Sequence, residues 1–477
     1  MQLNTSRRPG QIRDTLATLS LGLVAANAAH VGPAAAQGVD ENLSLPYSQV
    51  DATYLSYQEA GGRVSASEPS ASLAIHGVGG QVLSLSLIAD TVSGATPNGA
   101  VPSDQAQNFV TPLKASGSSV TVTTASGGST VITLPPTPGQ VAAAALGRMY
   151  TVPANNLPMD RAFYDERKAG TIGWAQPLFG IDQVGASFSY STERDYSSLT
   201  FSGRLAQDFN DHNSTLNLSV NFEDDTSTPY GGVPTPMTAM TGQWKSPSSK
   251  GRTQTDVVLG LTEVMSRRWL AQLNVSYGIS SGYQNDPYRI VSVVDPVTGE
   301  PVMQPPDANG NTQVDALYEN RPDSRTRESV YFDNKLNFDP VIPELSLRYY
   351  HDSWGISSET AEFSSKVKLF GSFYLTPNVR WYHQTAASFF QYYLVSGAAV
   401  PTYASSDSRL GKFTALTYGA QLGFNVTEHS EIYLRGDYYR QTGDGHPAYA
   451  IGQLKNQNLF AGVKATWFMV GYSWQFH

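Results

Sequence analysis

In the stretch FMVGYSWQFH at 468–477, Phe468, Val470, Tyr472, Trp474 and Phe476 fall on every second position, with Gly471, Ser473 and Gln475 between them. A period of two is the mark of a strand with one apolar face. The same alternation returns at LSLSL (83–87), ASFSYS (186–191), TLNLSVNFE (215–223), AQLNVSYGI (271–279) and YGAQLGFNV (418–426). In TLNLSVNFE, Leu216, Leu218, Val220 and Phe222 are set against Asn217, Ser219, Asn221 and Glu223. These segments run to about ten residues or more, whereas strands of globular proteins average about five or six. A tilted strand that crosses a bilayer needs about 9–11 residues. The apolar phase that receives the alternate side chains is therefore lipid, and the aromatic tips of the last strand belong at the membrane interface.

Composition supports the same phase. Charged residues are 15% of the chain against about a quarter in soluble domains. Ser, Thr, Gly, Asn, Gln and 26 tyrosines take their place. A formal net charge of −9 with no basic cluster argues against a nucleic-acid partner. There is no cysteine, which excludes disulfides, thiolate metal sites, covalent haem attachment and lipoprotein acylation.

Residues 1–36 read as an export leader. Arg7, Arg8 and Arg13 precede the apolar run LATLSLGLVAANAA from Leu16, and AAAQ offers cleavage after Ala36. Arg7–Arg8 is followed by Pro9 and Gly10, which fits twin-arginine export poorly. Beyond the leader no run of 18 apolar residues exists, so a membrane would be crossed by strands.

The connections alternate in length. Short ones are expected at 77–80, 179–182, 210–213, 266–268, 339–343 (DPVIP), 375–377 (LTP) and 427–429, and tight opposite-end turns at 60–62, 194–197 and 355–357. Longer segments rich in Gly, Pro and Asp lie at about 93–163, 226–251, 283–325, 393–410 and 443–456. Counted through these turns, the chain is an all-β transmembrane antiparallel barrel of about 16 strands, give or take about two, with both ends on one side. Residues 37–477 form one domain, with 93–163 a long loop or plug-like insertion that is the candidate to enter the lumen. GQVAAAALGRM at 139–149 reads as a short helix inside it. The soluble alternative, paired sandwiches, a lectin-like domain or a β-helix, would need two or more domains, yet neither a linker nor a fixed-period repeat is visible.

The segments RVSASEP (63–69), ADTVSGATPNGA (89–100), 257–295, RPDSR (321–325), RYYHDSWGISSET (348–360), YLTPNVRWYHQTAASFF (374–390) and YASSDSRL (403–410) together resemble the outer-membrane β-barrel proteins of domain-of-unknown-function family 3570. The resemblance covers nearly the whole mature chain and implies a Gram-negative outer-membrane barrel. It implies no catalytic residue. Neighbouring genes for flavin-transferase and thioredoxin-like proteins, common in that family, imply a periplasmic redox protein or lipoprotein as a partner. The Ser/Thr/Gly-rich stretch within 101–160 departs from the family pattern.

Strand parity sends Arg204, Asp333, Lys335, Arg348, Asp352, Lys366, Lys368, Arg380, Arg435 and Asp437 into the lumen, together with Tyr350, Tyr382, Tyr433 and Tyr439. Mixed signs of this kind suit either a polar pore or a mutually neutralised, closed interior. Asp90, Ser93, Gly94, Asn98 and Gly99, where a strand meets the longest loop, read as turn chemistry with side-chain caps and glycines at positive φ. No metal is expected. The eight histidines lack ligand spacing, His351 and Asp352 face opposite ways, and DANGNTQVD (307–315) and EDD (223–225) only echo calcium loops. No nucleophile elbow, P-loop or dinucleotide fingerprint occurs, and no cofactor is implied. The expected function is a channel or gated pore for a small polar solute; the alternatives are a non-conducting barrel that docks or sheathes a periplasmic partner, and an outer-membrane enzyme.

Overall fold

The computed structural model describes residues 46–111, 119–123, 129–133, 148–240, 245–305 and 312–476. The expected leader at 1–36 lies outside them. Sixteen strands form one closed antiparallel barrel. They are β1 (Tyr47–Glu59), β2 (Val64–His76), β3 (Val82–Pro97), β4 (Met159–Leu178), β5 (Ile181–Thr192), β6 (Tyr196–Phe209), β7 (Ser214–Ser227) and β8 (Lys250–Ser266). The second half comprises β9 (Trp269–Gly282), β10 (Ser324–Leu336), β11 (Val341–Asp352), β12 (Ser357–Lys368), β13 (Phe373–Gln384), β14 (Phe413–Thr427), β15 (Ser430–Gly443) and β16 (Val463–Phe476). Each strand pairs with its neighbours in sequence, and β1 closes on β16 from Ser48 opposite Phe476 to Glu59 opposite Ala465. Closure leaves no unpaired strand edge, which hydrocarbon would not tolerate.

The alternation of the sequence becomes the two faces of the wall. On β16, Phe468, Val470, Tyr472 and Trp474 point outward, and Ala465, Trp467 and Met469 are buried inside. Leu83, Leu85 and Leu87 of β3 and Phe201 and Leu205 of β6 also lie on the outer face. In water this belt would forfeit about 25 cal/mol for every Å² of apolar surface left wet; against lipid it costs nothing.

The end that carries both described termini has only short turns. Phe179, Phe338 and Phe370 project from three of them, 90%, 56% and 77% exposed, at the level where aromatic side chains anchor in an interface. The turn before β13 spans 369–372, not 375–377 as expected. Leu375, Thr376 and Pro377 lie inside β13, where Pro377 faces outward opposite Ala420. In DPVIP the turn ends at Pro340, and Val341 begins β11.

The opposite end, here called outer, carries the long connections at 98–158, 228–249, 283–323, 385–412 and 444–462. They build structure of their own. Ile290–Val294 pairs with Ala316–Tyr318 and, in parallel, with Tyr393–Val395. Gln107–Thr111 pairs with Arg148–Val152, so the helix expected over 139–149 ends instead in strand; residues 139–147 lie outside the described set. The one helical element among the described residues is a 3-10 turn at Gly452–Asn456.

Candidate functional site

The lumen is the site, and its two ends are built differently. At the outer end one sector of the wall is apolar. Tyr57, Tyr382, Phe413, Ala415, Tyr439 and Trp467 face inward there and are covered by Val101, Val294, Tyr392, Tyr393, Leu454 and Phe460 from the long connections. A second cluster seats Trp354, in the turn after β11, against Phe389, with Ile356 and Leu410 beside it. Each fully buried side chain of this size contributes about 1.5–3 kcal/mol by leaving water. The lumen is thus capped by several connections together. The expected single plug, 93–163, supplies only one part: Val101 joins the apolar cluster, and Pro102 accepts a hydrogen bond from Gln453.

The rest of the outer wall is ionic. Arg167 lies between Asp90 and Glu68, and Arg252 is paired with Asp225. Arg325 donates to Asp352, which also accepts from the Tyr350 hydroxyl at 2.8 Å. Arg327 crosses β9 to reach Asp256 at 2.9 Å and Gln254 at 2.8 Å. That bridge passes over Gly278, which lies in register with both Asp256 and Arg327. A Cβ there would collide with the Asp256 carboxylate and press within 3.0 Å of the guanidinium, so only glycine fits beneath it.

Above the wall the connections meet in a buried hub. Arg321 pairs with Glu319 at 2.6 Å and with Asp407 at 3.0 Å. Arg409 Nε reaches Asp407 at 2.9 Å, and Asp286 lies 3.6 Å from Arg409 and 3.5 Å from Arg289. Ser405 donates to Glu319, and Ser406 donates to the Ile290 carbonyl at 2.7 Å. Three carboxylates and three guanidiniums therefore tie 283–323 to 385–412. Burial alone would raise the Asp407 carboxyl, but Arg409, Arg289 and Arg321 outweigh it and hold it well below the usual range. Burial dominates at Glu319 and raises its carboxyl, with Arg321 acting against the rise.

The lower lumen differs. Ser, Thr, Asn and Gln make up most of the inward face of β1–β9, with Asp51 and Arg204 among them, and charge is denser on β10–β13 and β15. All ten residues assigned to the lumen by parity lie on the inward face. Among them Arg435 and Asp437 pair with each other at 2.7 Å. Lys335 pairs with Glu344 at 3.0 Å, Arg380 approaches Glu362 at 4.0 Å, and Asp352 belongs to the outer wall with Arg325. Arg348 donates to Ser329 and Arg204 to Asn217; Lys366 sits 3.7 Å over the Tyr374 ring. Lys368 is at the rim, bound to Asp339 in the turn before β11. Asp333 faces the lumen between Tyr331 and Lys335. The partners Glu344, Glu362 and Arg325, and the whole hub, were missed. Parity would have found the first three; the hub has no periodic signal.

The motif at 90–99 is only partly a turn. Asp90 lies within β3 as a partner of Arg167, and Ser93 meets Ser65 on the neighbouring strand. Asn98 does cap, accepting from the Ala100 amide at 2.9 Å and donating to Tyr150 at 3.0 Å. Gly94 and Gly99 have φ of +133° and +101°, and at each a Cβ would strike a backbone carbonyl, of Arg63 and Ile290 respectively. In EDD, Glu223 and Asp225 face Arg252. Most of DANGNT lies outside the described residues, among which no group of three metal-ligating side chains occurs.

A family model described as "Protein of unknown function (DUF3570)" matches residues 15–474. No curated protein matches the chain. Among solved structures it is similar to a Pseudomonas aeruginosa FadL homologue, at 12% identity over 94% of each chain with a TM-score of 0.38. It is similar to the outer membrane protein opdK from the same organism at 10% identity, over 90% of this chain and 99% of that one, with a TM-score of 0.36. The siderophore receptor PirA from Acinetobacter baumannii matches at 12% identity over 84% of this chain and 53% of that one, with a TM-score of 0.38. The chain spans about half the length of the siderophore receptors it matches. Likeness of this degree carries no argument about solute or activity.

Proposed function

We propose that this chain, which belongs to the DUF3570 family of proteins of unknown function, is a channel of the Gram-negative outer membrane that passes a small polar solute when its cap loosens. In this reading the protein is exported by the leader at 1–36, and the end with short turns faces the periplasm. The observation that carries it is the contrast within the lumen. Below the cap the wall is polar and partly open, with hydroxyls and amides opposite a stripe of mixed charge on β10–β13 and β15. Such a wall suits a hydrated solute, whose passage needs contacts that are favourable but weak.

The hub is what would hold the mouth shut. Removing one partner from a buried ion pair costs about 3–5 kcal/mol, enough to move a cap from closed to mostly open. The test is planar-bilayer conductance of the purified barrel and of Asp407→Ala. The reading expects small or rare steps from the wild type and larger, longer ones from the variant. Silence from both would overturn it.

The density of the cap favours a second reading, in which the barrel does not conduct and its lower lumen docks a periplasmic redox protein or lipoprotein. Copurification from native membranes, lost on charge reversal at Arg435 and Lys335, would support that reading.

A further inference from the structure

On the outside of the barrel, at the outer rim, a cavity of about 460 Å³ opens between the wall and the cap. Arg63, Arg440 and Lys464 line it, as do the amide side chains of Asn155, Gln457 and Asn458, and no carboxylate does. Arg63 is committed: it pairs with the buried Glu59 at 3.1 Å and donates to the Gly462 carbonyl. Arg440 and Lys464 are exposed and have no ion-pair partner among the described residues. They stand directly opposite one another on β15 and β16. Like charges in that register repel, and the repulsion becomes an attraction once an anion lies between them.

Their level in the membrane says which anion. One outward position below them, Tyr438 and Thr466 are paired; Phe468, Val470 and Tyr472 then begin the apolar belt. The two cations therefore sit at headgroup height, with side chains long enough to lie along the interface. We propose that this groove binds the phosphate of a phosphorylated glycolipid of the outer leaflet. Arg440 and Lys464 share the phosphate oxygens. The amide N–H groups left over from the Gln457–Asn155 hydrogen bond, and those of Asn458, whose oxygen accepts from the Phe460 amide, meet the sugar hydroxyls. A guanidinium fork beside an ammonium is the donor set that phosphate favours. The occupant would also brace the cap against the wall, because the cavity's other side comes from 98–158 and 444–462. The inference rests on the proposed outer-membrane setting with the long connections on the outer-leaflet side, but not on conduction.

The test places the full chain in phosphatidylcholine nanodiscs doped with bisphosphorylated lipid A, and counts retained lipid by native mass spectrometry. Wild type should retain the lipid, and Arg440→Gln with Lys464→Gln should lower retention on the order of tenfold or more. Lipid A stripped of phosphate should not be retained, and inorganic phosphate should not displace the bound lipid at equal concentration. Lys250→Gln removes an exposed cation from the same end of the barrel and should change nothing. Equal loss from Lys250→Gln would mean that the attraction is diffuse, and displacement by inorganic phosphate that the groove reads the free ion; either overturns the proposal. Heat-modifiable gel mobility verifies that the double variant remains a folded barrel. If it is folded and retains lipid A as the wild type does, the assignment of these two residues is wrong.

Discussion

The two ends of the lumen are made by the same sixteen strands under the same alternation, yet they use charge in opposite ways. In the cap, Arg321 and Asp407 are each 2% exposed and held by several partners. In the lower lumen, Lys335 and Glu344 are 44% and 32% exposed, and Arg380 lies 4.0 Å from Glu362 at 30% and 22%. Buried pairs are expensive to form and more expensive to break singly; pairs in contact with water are worth at most about 1 kcal/mol. Charge in the cap is therefore a fastening, and the water-exposed charge of the lower lumen remains available to a passing ion or a docking partner, with the buried Asp437 beside Arg435 as the exception.

The largest expected effect comes from breaking the fastening. Asp407→Ala leaves Arg321 and Arg409 short of a counter-charge and should destabilise the cap by about 3–5 kcal/mol, while the barrel keeps its heat-modifiable mobility. Hydrogen exchange should speed up across 286–321 and 389–410 and stay unchanged on β1–β3. Uniform acceleration would mean that the cap and wall are one cooperative unit, and the comparison would fail.

Acid should probe the same hub with a defined sign. Asp407 has a folded-state pKa below its unfolded value of about 4. Its contribution is therefore complete above about pH 4 and is lost as pH falls through the lowered value. Glu319 is shifted upward, so its share runs the other way and favours the closed form in acid. The cap should thus survive mild acid and loosen only well below about pH 4. The chain has no cysteine, so a single introduced thiol beneath the cap reports access cleanly. Loosening between about pH 7 and 5 would show that a different group governs the cap.

Substitution in the lower lumen should leave stability nearly untouched. Glu344→Gln frees Lys335 inside a hydrated wall, with a cost of about 1 kcal/mol or less. In a conducting barrel it should shift reversal potentials toward anions, because the stripe loses a negative charge. A large loss of thermal stability instead would mean that this pair is structural, like those of the outer wall.

How much of this was legible follows from what imposes the pattern. Lipid acts on every outward residue, so Phe468 to Phe476 could be read directly as a membrane strand, and parity sent Arg435 and Asp437 inward. Local turn chemistry was less reliable. Pro377 suggested a turn, yet it lies in β13 where the pairing with β12 skips Thr376 and Pro377, and the real turn at 369–372 hides behind Leu369 and Phe370, whose apolar side chains suit an interface. The cap could not be read. Glu319 and Asp407 meet through Arg321 although 88 positions separate them, and nothing periodic links two long connections. Asp90 was misassigned for the same reason, since its partner Arg167 lies on the far side of the longest connection.

The smallest effect lies at the edge of the cap, where Lys245 has left the ionic scheme. Its ammonium stands 5.1 Å from the centre of the Tyr318 ring, and burial lowers its pKa to about 8. An unfolded lysine titrates near 10.4, so between about 10.4 and 8 the unfolded chain holds a proton that the folded one has released. Stability contributed by this site therefore falls as pH drops through that window and levels off below it. Lys245→Met keeps the stem packed on Tyr318 and should remove the dependence, any change at neutral pH being a gain in stability. Competitive acetylation reads the site directly: the rate at Lys245 should reach half its maximum near pH 8, well below the value of about 10.4 for a free lysine. A midpoint of about 10.4 would mean that the ammonium at 245 is as well solvated as any surface lysine, and the line between fastened and available charge would have to be drawn further out.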